Sequence, residues 1–155
     1  MPDPYMSRAI ELAVENVGRG RGGPFAALVV KDGAILAEGV NLVTSTNDPT
    51  AHAEVVAIRA ACRALGDFQL TGCDIYTTCE PCPMCLGAIY WARPARVFCG
   101  ATSEDAAEAG FDDSFIYRQI ALPWAARRIP MYPLMREETL AAFRAWTAAP
   151  AKTRY

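Results

Sequence analysis

Hydrophobic and polar residues alternate at helical spacing near the beginning of the chain. One apolar stripe with this spacing consists of Met6, Ile10, Ala13, Val14 and Val17. Asp3-Pro4 before the stripe and Gly18 after it are typical start and stop signals, so the pattern predicts an amphipathic helix. The glycine-rich stretch at 18–23 has no Walker lysine-serine pair and no G-x-G-x-x-G context. This favours a loop at a pocket rim over a phosphate cradle.

Short runs rich in β-branched and aromatic residues predict strands at 25–31, 34–42, 73–78, 96–101 and 129–135. Asp32-Gly33 between the first two runs is the turn chemistry of a β-hairpin. The fifth run contains Pro130 and Pro133, which lack a backbone N–H, so it can be a strand only at the edge of the sheet.

Helices are predicted at 51–65, 82–92, 114–120 and 137–146, and a polar, acidic segment covers 102–113. A hairpin followed by crossovers between strands and helices implies a mixed five-stranded sheet with helices on both faces. We therefore expect one domain over residues 1–155, with the architecture of a three-layer α/β/α sandwich. The sequence contains no internal repeat and no linker.

Residue types that commonly bind metals occur in two short segments of the sequence, at 52–54 and at 82–85. His52, the only histidine of the chain, stands two residues before Glu54, and Cys82 and Cys85 follow further on. A catalytic zinc takes three protein ligands, commonly imidazole and thiolate, and keeps a fourth position for water. His52, Cys82 and Cys85 supply such a set. A carboxylate beside that water can take its proton and return it to the substrate, which gives Glu54 a task.

The spacing of these residues agrees with local structure. Pro83 suits the first turn of a helix, so Cys82 and Cys85 come three apart on one helical face. His52 and Glu54 are predicted in the first turn of the helix at 51–65, which Asp48 or Thr50 would cap. Because residues two apart do not share a helical face, the end of this helix has to point at the metal.

Two other interpretations use the same residues. Cys79 stands three residues before Cys82, so one histidine and three cysteines could close a structural zinc site without room for water. The protein would then be a binding or scaffold module. Alternatively, His52 and the cysteines could be buried core residues that bind no metal.

Composition restricts the partners. The chain has 155 residues, of which 52% are hydrophobic, and fifteen basic against seventeen acidic side chains give a net charge of −2. This balance disfavours a nucleic-acid partner. No apolar segment is long enough to cross a membrane, and the first residues lack a signal core, so a cytoplasmic protein is expected. Cys62, Cys73 and Cys99 are then expected as reduced, packed thiols.

Three segments carry a resemblance to a known family: HAEV from position 52, TTCEPCPMCLGAIYWARP from position 77 and DAAEAGFDDSFIY from position 105. With these segments, the chain resembles the small bacterial guanine deaminases of the cytidine deaminase-like superfamily. The zinc motif alone specifies only the superfamily. The narrower resemblance rests on Asn41, on the segment at 108–113 and on the C-terminal tyrosine.

The resemblance implies a zinc hydrolase that converts guanine to xanthine and ammonia, with one zinc per chain. It implies Glu54 as the main proton carrier and Asp113 as a second catalytic carboxylate. The substrate contacts that it implies are Asn41, Phe25, Ala53, Trp91 and Tyr155. It also implies a homodimer in which the C-terminal segment, about 130–155, crosses to the partner chain.

Several of these assignments have alternatives. Asn41 could pair only with backbone, and Phe25 and Trp91 could be packing residues. Asp113 is preferred as the second carboxylate, although it could instead cap the helix at 114–120 and leave that role to Asp112. Tyr155 could be an untethered end.

Substrate choice has alternatives as well. Related sequences tend to have glycine where this chain has Ala26, and the added methyl group could narrow the pocket. The same zinc motif would serve a guanosine or cytidine deaminase, or a transfer-RNA adenosine deaminase with more basic surface.

Overall fold

The computed structural model describes all residues from 1 to 155. Its strands are β1 (Ala26–Lys31), β2 (Ala34–Val40), β3 (Cys73–Cys79) and β4 (Arg96–Ala101). Its α-helices are α1 (Pro4–Gly18), α2 (Val43–Thr46), α3 (Ala53–Leu65), α4 (Pro83–Ala92), α5 (Ser103–Glu108), α6 (Ser114–Ile120) and α7 (Arg136–Ala148). A short 3-10 helix covers Trp124–Ala126. None of the helices is long and apolar enough to cross a membrane.

The strands form one mixed sheet in the order β2-β1-β3-β4. β1 is antiparallel to both β2 and β3, whereas β3 and β4 are parallel. The hairpin between β1 and β2 turns at Asp32 and Gly33, which have φ values of 50° and 77°. Two successive positive φ values are what a tight hairpin turn with the twist of the strands requires, and the predicted hairpin is therefore confirmed.

Side chains of β1 alternate between two core clusters, one on each face of the sheet. Ala26, Leu28 and Val30 pack with residues of α1, whereas Ala27 and Val29 pack with residues of α3 and α4. This alternation follows from the two-residue period of a strand. Helices thus cover both faces, as the three-layer α/β/α prediction requires.

The sheet has four strands, so the prediction of a fifth strand at 129–135 is wrong. Pro130 and Pro133 lack the N–H groups that a sheet ladder needs, and Ile129 is 84% exposed. This stretch lies in the compact unit Phe115–Tyr155, and the sheet lies in the compact unit Met1–Ser114.

Within Phe115–Tyr155, the longest element is α7, which has no buried residues. The rings of Trp146 and Tyr155 meet edge to face, with their centroids 6.4 Å apart. The guanidinium group of Arg127 donates to the backbone oxygens of Ile120 and Leu122, which closes the turn after α6.

Two helices were not predicted. α2 is a four-residue turn that ends at Asn47 in the left-handed region, and α5 lies in the acidic segment at 102–113. α5 begins with a capping box, in which Thr102 and Asp105 each accept from the other's backbone N–H. The spacing of these two residues is the sequence signal for such a helix start.

Candidate active site

His52 is held at the beginning of α3. It is the N-cap residue in an extended conformation, and the helix starts at Ala53. The prediction that His52 lies in the first turn is thus wrong by one position, while Glu54 does lie there. The carboxylate of Asp48 accepts from the N–H and the hydroxyl of Thr50, at 2.8 and 2.7 Å, and so stabilises the preceding turn rather than capping α3.

Cys82 is the N-cap residue of α4, and Pro83 occupies the first helical position. The sulfur of Cys82 accepts from the N–H of Cys85 at 3.5 Å, and Cys85 is buried one turn into the helix. The positive end of a helix stabilises negatively charged sulfur. The beginnings of α3 and α4 therefore bring an imidazole and two sulfurs together.

The three side chains have the geometry of a zinc site. Nδ1 of His52 lies 3.5 Å from Sγ of Cys82 and 3.5 Å from Sγ of Cys85. All three donor atoms lie within 4.8 Å of one another. Tetrahedral coordination with Zn–N of about 2.0 Å and Zn–S of about 2.3 Å places nitrogen and sulfur about 3.5 Å apart. His52, Cys82 and Cys85 therefore fit zinc in both donor type and spacing.

The proton balance of this cluster suits metal binding. A hydrogen bond from Cys85 lowers the pKa of Cys82, and His52 lowers it further. The pKa of Cys85 is raised because its thiol bonds to Cys82 and is buried. The bond with Cys82 also raises the pKa of His52. Since metal ligands bind without these protons, zinc would displace them.

Glu54 is placed against this cluster and is only 7% exposed. Its Oε2 lies 3.4 Å from Sγ of Cys85, and its Oε1 lies 3.3 Å from the hydroxyl oxygen of Thr77. Burial raises the pKa of Glu54, because charge is disfavoured away from water. A raised proton affinity favours uptake of a proton by this carboxyl group, as the role of a proton carrier requires.

Cys79 lies outside the metal cluster. Its sulfur faces the backbone oxygen of Thr102 at 3.5 Å, and burial raises its pKa to about 11. Cys79 is therefore a neutral thiol that donates to backbone at neutral pH. The four donors of the alternative structural zinc site are not gathered together, because only three of them share one position.

The two neighbouring aspartates have different surroundings. Asp112 is exposed and accepts from the N–H of Ser114 at 2.9 Å, at the beginning of α6. Asp113 is half-buried, and its pKa is raised by burial and by the negative charge of Cys82. It is near enough to His52 to raise the pKa of the imidazole as well. Of the two, Asp113 is the one whose charge acts on the metal ligands.

Asn41 is buried at the end of β2. Its side-chain oxygen accepts from the N–H groups of Gly23 and Val43, at 3.3 and 3.2 Å. Backbone pairing, which the sequence left open as an alternative role, thus accounts for the oxygen of the amide. The NH₂ group of the same side chain is the part that can act as a donor toward a ligand.

The aromatic candidates differ in their surroundings. The half-buried ring of Phe25 meets Phe111 edge to face at 4.9 Å, which links the loop before β1 to the segment that carries Asp113. Trp91 is 64% exposed on α4. Tyr155 is 69% exposed and contacts Trp146 within its own unit. Ala53 has no exposed surface and packs in the core cluster between α3 and the sheet.

The methyl group of Ala26 does not point toward the metal cluster. Ala26 packs with Leu12 and Leu28 on the α1 face of the sheet, whereas Ala53 packs on the opposite face. A glycine here would remove a methyl group from the α1 core. The expectation that Ala26 narrows the pocket is therefore not supported by its position.

Sequence reasoning did not single out Thr77 and Asn16. Thr77 shares the α3 face of β3 with Cys73 and Ile75, because these residues alternate along the strand. Asn16 continues the buried face of α1, as a polar residue after Ala9, Leu12 and Ala13. The alternation along β3 is a signal that could have identified Thr77. For Asn16 there was none, because the apolar stripe predicted for α1 is wrong about the buried face: Ile10, Val14 and Val17 are 52%, 68% and 50% exposed.

The fold and the site define a zinc-dependent hydrolase with an α/β/α core. A sequence profile of the cytidine and deoxycytidylate deaminase zinc-binding region matches residues 2–101. The chain belongs to this family.

Comparison with individual proteins gives a narrower relationship. The chain is 60% identical to the guanine deaminase of Bacillus subtilis (strain 168) over 151 residues, which cover 97% of each protein. A crystal structure of guanine deaminase from Bacillus subtilis superimposes with a TM-score of 0.95 and covers 97% of this chain and 96% of that one. The similarity thus extends beyond the zinc-binding region into the C-terminal third.

More distant relatives match less of the chain. A guanine deaminase structure from Nitrosomonas europaea has a TM-score of 0.68 and 34% identity, with 73% of this chain and 66% of that chain covered. The tRNA-specific adenosine deaminase of Agrobacterium fabrum is 49% identical, but only over 50% of this chain and 51% of its own length.

Proposed function

We propose that the protein is a zinc-dependent guanine deaminase that hydrolyses guanine to xanthine and ammonia. The observation that carries this proposal is the 60% identity to a guanine deaminase over 97% of both chains. The buried Glu54 beside His52 and Cys85 supports the hydrolytic chemistry. The net charge of −2 gives little attraction for a polyanion, which argues against a transfer-RNA substrate.

His52, Cys82 and Cys85 would hold the zinc, which when bound supplies Lewis-acid activation of the attacking water. Glu54 takes the two protons of that water in turn and passes one to a ring nitrogen and one to the departing amine. The C–N bond at C2 breaks, ammonia leaves and the water oxygen remains on the base. Burial favours this role because it raises the proton affinity of Glu54.

The base would be recognised by groups of opposite hydrogen-bonding character. The NH₂ group of Asn41 can donate to an acceptor of the purine, and the carboxylate of Asp113 can accept from its N–H groups. Phe25 would contact the flat face of the base. We retain Ala53, Trp91 and Tyr155 as further proposed contacts. In support, a mutant of a related protein has been solved in complex with 8-azaguanine. That protein is 34% identical, and its structure superimposes with a TM-score of 0.68 over 70% of this chain and 63% of that chain.

The proposed function is tested by ammonia release from guanine, guanosine, adenine, cytosine and cytidine, with Glu54→Gln as the matched inactive variant. We expect guanine to be turned over best. Glu54→Gln should keep zinc and fold but lose kcat by about 100-fold or more, the scale of a positioned acid/base group. Turnover of a nucleoside without turnover of guanine, or near-normal activity of Glu54→Gln, would contradict the proposal.

We further propose that the protein is a cytoplasmic homodimer. Its six cysteines are free thiols, as is typical of reducing compartments. Four exposed large apolar side chains lie on α4, at Met84, Leu86, Tyr90 and Trp91. Such surfaces mark interfaces between proteins. Light scattering should give twice the chain mass of 16.8 kDa.

Deletion of residues 151–155 should raise KM for guanine without loss of zinc if Tyr155 contacts the base.

A further inference from the structure

A buried asparagine ties the loop before β1 to the end of β2. Asn16 has no exposed surface, and its NH₂ group donates to the backbone oxygens of Gly23 at 3.1 Å and Asn41 at 2.9 Å. Both hydrogens of this group are thus used, one on each segment. A buried side chain that bridges two segments fixes their relative position, since removal of the donor would leave two carbonyl groups without these bonds.

The same two segments are joined a second time through the side chain of Asn41. Gly23 and Val43 both present N–H donors to one atom of the Asn41 amide, which is therefore its oxygen. This fixes the direction of the amide plane and presents its NH₂ group. Asn16 donates to the carbonyl oxygens of Gly23 and Asn41, and the N–H of Gly23 donates to the side chain of Asn41. Hydrogen bonds therefore connect each of these three residues to the other two.

Gly22 allows the loop to approach Asn41 closely. A Cβ atom at Gly22 would overlap the backbone oxygen of Asn41 and would lie 2.8 Å from its side-chain oxygen. The φ angle of Gly22 is not in the left-handed region, so space rather than backbone conformation requires glycine here. Gly18 provides a contrast, since a Cβ atom at that position meets nothing within 4 Å.

We propose that Asn16 and Gly22 are positioning residues that fix the donor direction of Asn41 toward the purine base. This inference rests on the proposed function, because it needs Asn41 to contact the substrate. Neither residue touches the reacting atoms, and both act through Asn41. They should therefore affect binding of the base more than the chemical step, since Glu54 and the metal ligands are held by other contacts.

The first test compares Gly22→Ala with Gly18→Ala. Both changes add one methyl group to the same glycine-rich stretch. We expect Gly22→Ala to raise KM for guanine about tenfold, as for a misdirected hydrogen bond, while kcat falls less and zinc stays at one per chain. Gly18→Ala should stay within about twofold of wild type, the scatter of a surface substitution. A folded, zinc-loaded Gly22→Ala protein with wild-type KM would overturn the role of Gly22.

The second test separates positioning from general stability. Asn16→Leu keeps the size of the side chain but removes its donors. Leu12→Ala weakens the same buried face of α1, where Leu12 packs with Leu28 and Tyr76, but leaves both hydrogen bonds of Asn16 in place. Both variants should lower Tm. Only Asn16→Leu should raise KM, again about tenfold. Equal effects of the two variants on KM would make Asn16 a purely structural residue and would overturn the inference.

A double-mutant cycle with Asn41→Ala identifies the route of the effect. If Asn16 acts through Asn41, Asn16→Leu should change kcat/KM little once Asn41 is already alanine. If Asn16→Leu lowers kcat/KM by the same factor in the Asn41→Ala background as in wild type, the inference is refuted. Guanine turnover by the wild-type protein would still support the proposed function in that case. Absence of guanine turnover by the zinc-loaded wild-type protein would overturn the function and the inference with it.

Discussion

The hydroxyl oxygen of Thr77 lies 3.3 Å from Oε1 of Glu54, and both residues are buried. The other carboxylate oxygen lies 3.4 Å from the sulfur of Cys85, which can donate to it only while Cys85 keeps its proton. The hydroxyl of Thr77 also lies 3.1 Å from the backbone oxygen of Cys79. Because it has a single hydrogen, it can donate to only one of these two oxygens at a time.

Thr77→Val should lower kcat for guanine about tenfold, because a methyl group replaces the hydroxyl that orients Glu54. KM and zinc content should change little, since neither substrate contacts nor metal ligands are altered. Thr77→Ser retains the hydroxyl and should recover most of kcat. The measurements are steady-state kinetics and metal analysis on all three proteins. If the serine variant is as slow as the valine variant, packing of the methyl group rather than the hydrogen bond determines the rate.

Zinc content should separate the four candidate cysteine and histidine ligands. Cys79→Ser should keep about one zinc per chain, because Cys79 donates to Thr102 and lies outside the cluster. Cys82→Ser and Cys85→Ser should each lose most of the metal, and activity with it. Metal analysis after dialysis against a weak chelator gives the comparison. Zinc loss in the Cys79 variant would instead support a structural site with four protein ligands, His52, Cys79, Cys82 and Cys85.

Ala26→Gly tests whether this residue limits the pocket. Its methyl group packs in the fully buried core on the α1 face, so its removal should lower stability by about 1 kcal/mol, the scale of one buried methylene group plus glycine flexibility. KM for guanine should remain at the wild-type value. Thermal unfolding and kinetics measure the two effects. A lower KM together with acceptance of guanosine would show instead that the methyl group restricts the pocket.

The grouping of His52, Cys82 and Cys85 could be predicted from the sequence because zinc restricts the spacing and type of its ligands. Three donors that must reach one ion leave few arrangements, and Cys82, Pro83 and Cys85 already imply the beginning of a helix. The hairpin was predictable for a similar reason, since Asp32 and Gly33 tolerate the positive φ values that the turn needs. In each case, a local chemical requirement determines the structure.

Features that depend on distant segments could not be predicted in the same way. Nothing near Asn16 in the sequence indicates that its partners are Gly23 and Asn41, because the contact exists only once α1 has packed on the sheet. The strand prediction at 129–135 failed for a related reason. Apolar residues favoured a strand there, but strand formation also needs a partner edge, and Pro130 and Pro133 cannot pair fully with one.

The two neighbouring aspartates provide a matched pair for the proposed second carboxylate. The side-chain oxygen of Asn can accept from the backbone two residues on as that of Asp does, so Asp112→Asn should preserve the bond to Ser114 and leave stability and activity close to wild type. Asp113→Asn keeps the size of the side chain but removes the charge that acts on His52 and Cys82 and offers only one acceptor oxygen.

We therefore expect Asp113→Asn to lower kcat/KM for guanine by about 10- to 100-fold, the scale of a lost hydrogen bond to a charged group. Zinc content and Tm should stay at wild-type values, because Asp113 is not among the residues that hold the metal. The decrease in kcat/KM should be largest for substrates that present N–H groups to the carboxylate. A slow substrate that lacks these N–H groups should show a smaller decrease. Equal and small effects of the two variants would leave the segment as a loop and helix cap, and the N–H groups of the base would then need another acceptor.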